Sequence, residues 1–513
     1  MRVTNRSDNN QIWQDLETHA CRFSDLDLNR LLADTKRFTN SHLQVEHLLV
    51  DWSRQLVDQS IQDSLDQLAT NSRVHQFLLS MCRGDLVNKT ESRAATHVEQ
   101  RSLHASDQSL QPMFKFAEQI RNGTLRGHSG KSFTDVVNVG IGGSHLGPEL
   151  VYRALVQRQG PRLHFLTNTH PAARSEILDG LDPDSTLFII ASKSYGTFET
   201  LDNAGYIRQW MIERVPPNAD LGNHFIHVTS NPEHITNNET VLRVPSSIGG
   251  RFSIWSAMGL AIAIAFGIDV YQDLLAGARS MDIHVLEASD IAHNLAIKLA
   301  LLAVWNTNVI KTESHLILPY DPRLQLLPAY LQQLEMESNG KSISRDGEPI
   351  NQHTSPIVWG GVETDGQHAY HQLLHQGTRK YSADIIVTHS ASSQNDYSNT
   401  EDWILANAVA QSTVMFTGNH VSSEQRFKNI KGRHGSTIFV LNELNAFNLG
   451  ALISLYEHKV ACLGHLWNVN SFDQWGVEAG KRLADDVYGF LHHGEAQNVP
   501  PATAALLNKI KKA

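Results

Sequence analysis

Three small hydroxyls and one lysine crowd into the six residues Ser192-Lys193-Ser194-Tyr195-Gly196-Thr197, directly after the apolar run Leu187–Ala191. A phosphate dianion wants several short donors, the positive end of a helix dipole and an ammonium group, and this segment offers all of them. A simple helix cap needs only one such hydroxyl, so the surplus favours a phosphate cradle. A second turn, Gly140-Ile141-Gly142-Gly143-Ser144-His145-Leu146-Gly147-Pro148, follows a strand-like run and opens a helix. Its backbone N–H groups, around Gly143 and Ser144, can face a phosphate or a sugar hydroxyl. A tight turn with no ligand stays open for this segment. A dinucleotide motif fails because His145 stands where the third glycine belongs, and no Walker-type GKS/GKT has its earlier glycine.

Further along, Gly249-Gly250-Arg251-Phe252-Ser253 puts an arginine behind two glycines and ahead of a long apolar stretch. Fixed positive charge at a helix start is disfavoured by the dipole unless an anion sits nearby. Gln332-Gln333-Leu334-Glu335-Met336-Glu337-Ser338-Asn339-Gly340 reads as a helix end from about Leu324, with Gln333 and Glu337 on one face and Asn339-Gly340 as its stop. A carboxylate in the last turn meets the negative end of the dipole, which suits a group that must accept a proton. For a lone glutamate, a solvated side chain at a polar helix end is the commoner case. Gly366-Gln367-His368 opens a helix through Tyr370, Leu373 and Leu374, where a first-turn histidine tends to be neutral and able to exchange protons. Taken alone, His368 reads as structural rather than catalytic. Gln474 and Lys481 stand seven apart, which places them on one side of a helix.

The elements that must position these residues alternate. Strands are expected at Asp135–Val139, His164–Thr167, Thr186–Ala191 and His224–Val228, then, after apolar helices over 253–310, at His315–Leu318, Pro356–Trp359, Asp384–Val387 and Thr437–Leu441. Strand–helix alternation in two sets implies an α/β protein with two α/β/α sandwich domains and mainly parallel sheets, flanked by helical N-terminal and C-terminal segments. The expected division is 1–112 (mainly helical, with Val45, Leu48, Leu49 and Trp52 at helical spacing), 113–285 and 286–513. In such sheets ligands sit beyond the carboxyl ends of strands, which is where the first two turns lie.

Bulk properties narrow the partners. A chain of 513 residues with 41% hydrophobic and 19% charged residues is an ordinary globular sequence of more than one domain. Its net charge of -10 argues against nucleic acid or an anionic membrane surface as the main partner. Cys21, Cys82 and Cys462 are scattered and form no CxxC, which fits a reducing, cytoplasmic setting and argues against a cysteine-rich metal site. The run Met258–Ile268 is too short to span a bilayer, and the start of the chain lacks a secretory apolar stretch.

In their order and spacing these segments resemble the glucose-6-phosphate isomerase family, from about Val136 to Leu483 and most densely in Gly249–Gly259, Gln332–Lys341, Gly366–Gly377 and Phe472–Lys481. The resemblance implies two sugar-isomerase (SIS) domains, a homodimer, no metal and no organic cofactor. It implies a substrate pair of glucose 6-phosphate and fructose 6-phosphate, in glycolysis and gluconeogenesis. By motif position Ser192, Ser194 and Thr197 would hold the phosphate beside Lys193, while Gly143 and Ser144 would touch substrate. Glu337 would shuttle a proton between C1 and C2 through a cis-enediol, and Arg251 would stabilise the enediolate. His368 and Lys481 would open the ring, with Gln333 and Gln474 as substrate contacts. The sequence departs from the family at His145, Ser194, Gly196 and Phe198, and most in Gly360-Gly361-Val362-Glu363-Thr364-Asp365-Gly366, where Gly-Glu-Pro-Gly-Thr-Asn-Gly is usual. An isomerase that also accepts mannose 6-phosphate, and a silent sugar-phosphate sensor, remain alternatives.

Overall fold

Thr186–Ala191 is buried at every residue, as a strand covered on both faces must be. The computed structural model, which describes residues 6–23, 26–102, 109–235, 239–389, 398–494 and 498–511, builds two sheets around such runs. In chain order the strands are β1 (His42–Val45), β2 (Leu48–Asp51), β3 (Asp135–Val139), β4 (Arg162–Leu166), β5 (Thr186–Ala191) and β6 (Phe225–Thr229). They continue with β7 (Thr240–Arg243), β8 (Ser314–Pro319), β9 (Ile357–Gly360), β10 (Tyr381–Thr388) and β11 (Gly435–Leu441). One sheet is all parallel in the order β4-β3-β5-β6-β7. The other runs β1-β2-β11-β10-β8-β9, parallel except where the β1–β2 hairpin pairs antiparallel with β11. The α/β class with mainly parallel sheets is as the alternation predicts.

Helices cover these sheets with matching apolar stripes. Val137, Phe188 and Ile190 pack against Leu178, Ile207 and Trp210 from the helices Pro171–Leu178 and Phe198–Ile212. Leu316, Ala383, Ile385 and Ile438 pack against Leu374, Ala408 and Met415. Burying a residue such as Ile190 contributes about 1.5–3 kcal/mol, so each stripe is a substantial part of the fold's stability.

The helical reading of Val45, Leu48, Leu49 and Trp52 is corrected: these residues lie in and beside the β1–β2 hairpin. Glu46 turns the hairpin with φ +49°, and β2 docks on β11, with Val50 opposite Phe439. Local periodicity is overridden here by a strand partner far downstream. The edge strand β7, only four residues long, carries too short a pattern to stand out in the sequence.

The helices Ile268–Glu287 and Ala446–Leu466 cross at glycines. A Cβ on Gly277 would lie 1.7 Å from the Phe447 carbonyl oxygen, and one on Gly450 would lie 2.0 Å from that of Leu274. The second helix is buried along nearly its whole length, including the consecutive charged residues Glu457, His458 and Lys459.

The chain divides into two units, 1–471 and 472–513. Within the second, a short 3-10 turn at Trp475–Val477 leads into the helix Glu478–His493, which Gly494 ends in a left-handed conformation, followed by the helix Pro501–Lys511.

Because the clash at Gly277 is with backbone that cannot rotate away, Gly277→Ala is expected to destabilise the fold by about 1–3 kcal/mol. A thermal melt should show the lowered Tm, whereas Gly476→Ala, where an added Cβ meets nothing within 4 Å, should leave it unchanged.

Candidate active site

In the parallel sheet the chain leaves β3 to one side through β4 and returns to the other side through β5, so the strand order reverses between β3 and β5. A crevice opens at the carboxyl ends of strands at such a point. Val139 is paired with Ile190, so the turns that follow the two strands leave the sheet side by side. A Cβ on Gly140 would stand 2.9 Å from the Ala191 carbonyl oxygen.

The Ser192–Thr197 turn is held largely through its backbone carbonyls. Thr229 Oγ1 and the Ser230 N–H donate to the Lys193 carbonyl, and Asn231 Nδ2 donates to that of Ser194. Thr197 is the N-cap of the helix Phe198–Ile212 yet makes no side-chain capping bond. Its hydroxyl instead faces Ser192 Oγ at 3.4 Å. Tyr195 adopts φ +50°, costly for a non-glycine residue, and is tied down through its hydroxyl to His227 Nδ1 (2.9 Å), which in turn meets Glu239. Lys193 donates to the Ser246 carbonyl at 2.8 Å. Burial, with Arg93 and Arg251 adding like charge against the opposing pull of Glu91, lowers the Lys193 ammonium to about 8. A cation disfavoured in this way is relieved by a dianion.

The first turn meets a third stretch of chain. Gly142 turns with φ +59°, and a Cβ there would lie 2.9 Å from Gln333 Nε2. A Cβ on Gly143 would overlap the Gly250 carbonyl oxygen at 2.1 Å. Ser144 sits against Gly140 and takes a bond from Asn138 Nδ2 to its carbonyl oxygen at 3.1 Å. The His145 imidazole, which departs from the family pattern here, is pushed towards its neutral form by burial.

Arg251 lies in the 3-10 stretch Gly250–Trp255 and is buried. Its Nε donates to Ser338 Oγ at 2.7 Å, one terminal nitrogen donates to the Ser471 carbonyl at 2.5 Å, and the other approaches Glu337 Oε2 at 3.4 Å. Trp255 anchors the same stretch, with Nε1 donating to Glu457 Oε1 at 2.9 Å. Glu457 is itself paired with Arg101 at 2.8 Å, and burial pushes its carboxyl up to about 7.

Glu337 closes a π-helical turn, Gln332–Glu337, rather than the last turn of a regular α-helix. Such turns carry a local distortion that is frequent at functional sites. Gln333 and Glu337 both lie in this turn, with Gln333 close to Gly142. The carboxylate is one quarter exposed, while Arg251 beside it is 2% exposed. One carboxylate is thus open to a ligand and held against a fixed cation.

The structure therefore brings together the turns carrying Gly143, Ser144, Ser192, Lys193, Ser194 and Thr197 with Arg251, Gln333 and Glu337. His368 is exposed in a 3-10 turn, Gly366–His368, that is separate from the helix His371–Gln376, so the expected continuous helix is broken. Gln474 and Lys481 belong to the second unit. Gln474 precedes the helix instead of lying on it, and Lys481 on the helix approaches Glu478 at 3.8 Å. The shared helical face expected for this pair is thus corrected.

Several supporting residues had no signal in the sequence. Ser338 receives Arg251, and Asn339, expected only as a helix stop, is fully buried, accepting from Ser471 Oγ at 2.7 Å and donating to the Val460 carbonyl at 2.9 Å. Lys341 reaches the Ser338 and Asn470 carbonyls. Among the described residues no group of three or more His, Cys, Asp or Glu is arranged to hold a metal ion, and no helix is long and apolar enough to cross a membrane.

Known proteins resemble this chain along nearly its full length. The family model for phosphoglucose isomerase matches residues 51–507. A glucose-6-phosphate isomerase of Ectopseudomonas mendocina is 40% identical, covering 93% of this chain and 92% of its own. One of Psychrobacter arcticus is 38% identical over 100% of this chain and 98% of its own. The crystal structure of a glucose-6-phosphate isomerase from Chlamydia trachomatis superposes with a TM-score of 0.87 at 30% identity, covering 98% of both chains. With the ordered turns, the buried arginine and the π-helical glutamate on one side and these matches on the other, the chain belongs to the phosphoglucose isomerase family.

Proposed function

We propose that this enzyme interconverts glucose 6-phosphate and fructose 6-phosphate through an enediol, as a cytoplasmic homodimer. The observation that supports this most is the contact of Glu337 with the buried Arg251 guanidinium, in stretches that pack on the Gly142–Gly143 turn, next to the hydroxyl-rich Ser192–Thr197 turn. A sugar anchored by its phosphate on Ser192, Lys193, Ser194 and Thr197 directs its carbon skeleton towards that carboxylate.

With the ring open, Glu337 takes the proton from C2. The C–H electron pair forms the C1–C2 double bond, and the former carbonyl oxygen on C1 gains negative charge. Arg251 stabilises that charge in a site where its own hydrogen bonds have already fixed its orientation, so little reorganisation is needed. A proton moves from O2 to O1, and Glu337 returns its proton to C1, leaving the ketone at C2. Gln333, in the same turn as Glu337 and close to Gly142, orients the hydroxyls. His368 and Lys481 are assigned to ring opening and Gln474 to substrate contact by their motif positions. His368 is exposed and makes no side-chain hydrogen bond or ion pair among the described residues, which leaves it available to its own chain or to a second copy.

Glu337→Gln should lower kcat by about a hundredfold or more while KM changes little, read in a coupled assay for fructose 6-phosphate formation. Near-native turnover in that variant, with loss only in Arg251→Ala, would show that the base lies elsewhere. The Lys193 ammonium loses its proton as pH rises through about 8, so its help to the phosphate is present below that value and lost above it. KM should therefore climb in alkaline solution. Lys193→Gln should raise KM about tenfold at neutral pH and remove the alkaline rise.

A further inference from the structure

The loop Gly360–Gly366, where the sequence departs most from its family, places a carboxylate in the interior. Glu363 is 1% exposed. Tyr370 donates its hydroxyl proton to Glu363 Oε1 at 2.7 Å, and His371 Nε2 lies 2.7 Å from Oε2 in a close approach that is not aligned as a hydrogen bond. The Glu363 N–H donates to the Pro319 carbonyl at the end of β8, fixing the loop to the sheet. Between Glu363 and Tyr370 the chain makes a turn whose exposed part carries His368. The turn is closed from inside: a Cβ on Gly366 would strike the Tyr370 hydroxyl at 2.2 Å and Glu363 Oε1 at 2.6 Å. Thr364 takes φ +78°, a left-handed conformation that a β-branched residue adopts only when its surroundings impose it.

A buried carboxylate with one hydrogen bond and one imidazole at its side is costly unless both partners stay in place. The contact therefore acts as a clasp across the base of the turn. We propose that Glu363 is a positioning residue for His368, its carboxylate holding Tyr370 and His371 so that the Thr364–His368 turn presents the imidazole in one orientation. The inference rests on the proposed role of His368 in ring opening. In that step the C1 hydroxyl gives up its proton, the C1–O5 bond breaks as the C1 carbonyl forms, and the ring oxygen takes a proton. Reclosure on either face interconverts the α and β anomers, so anomer exchange reads ring opening without the C1–C2 proton transfer.

The test is a double-mutant cycle on the full-length enzyme, with α/β exchange of glucose 6-phosphate followed by exchange NMR. His368→Ala should slow enzyme-catalysed exchange; if it does not, the reading of His368 fails and this inference falls with it. Given that loss, Glu363→Gln should slow exchange by about tenfold to a hundredfold, the scale of an ångström-sized misplacement. It should add nothing in the His368→Ala background, since two residues acting through one step are not additive. Binding of inorganic phosphate should stay unchanged in all variants. Exchange within twofold of wild type in Glu363→Gln would overturn the proposal. So would an equal loss with and without His368, which would mark Glu363 as a stabiliser only. Should Glu363→Gln fail to fold, Tyr370→Phe takes its place in the same cycle and is expected to show a smaller loss that again vanishes without His368.

Discussion

The guanidinium of Arg251, buried and yet charged, is the constraint around which the rest of this molecule is arranged. Taking such an ion out of water costs several kcal/mol unless its hydrogen bonds are replaced. Replacements come from two stretches distant in the chain: the neighbours Glu337 and Ser338, and the Ser471 carbonyl. Each of them must then be fixed in turn. Ser471 is fixed through Asn339, and Asn339 through the Val460 carbonyl of the central helix. Of these groups Glu337 keeps part of its surface, so a ligand can reach the ion pair from that side.

The same logic explains the buried ions of the central helix. Glu457, His458 and Lys459 are consecutive, so their side chains leave the helix in different directions and need different partners. Glu457 meets Arg101 and Trp255; His458 meets Asp282 at 2.7 Å. Lys459 lies 3.5 Å from Asp384 and 3.8 Å from Glu335, next but one to Glu337. These contacts tie the helix to the stretch that carries Arg251 and to the π-helical turn that carries Glu337. Removing one partner of such a pair leaves an uncompensated charge, so the groups around the site are locked together in one arrangement. Backbone approach at Gly143 and Gly277 does the rest, bringing stretches closer than any side chain would allow.

Much of this was legible in the sequence. The unbroken apolar runs gave up their strands because both faces are covered, and the turns after β3 and β5 stood out by their glycines and hydroxyls. What escaped depends on partners distant in the chain. The strand Leu48–Asp51 looks helical until β11 supplies a neighbour. The π-helical turn at Gln332–Glu337 leaves no mark in residue type, because the same spacing suits a regular helix. Asn339 signals a helix end by its identity and reveals nothing of the serine it holds. Glu363 was visible as a departure from a family pattern, but its burial beside Tyr370 and His371 required coordinates.

The central claim is that a carboxylate moves a proton between neighbouring carbons while a fixed guanidinium holds the charge. Glucose 6-phosphate deuterated at C2, turned over in ordinary water, tests it most directly. A proton held on Glu337 can exchange with solvent between removal and return, so the account predicts fructose 6-phosphate that has lost a measurable share of its label by NMR. Complete transfer of deuterium from C2 to C1 at every stage of the reaction would point to a hydride shift and contradict it.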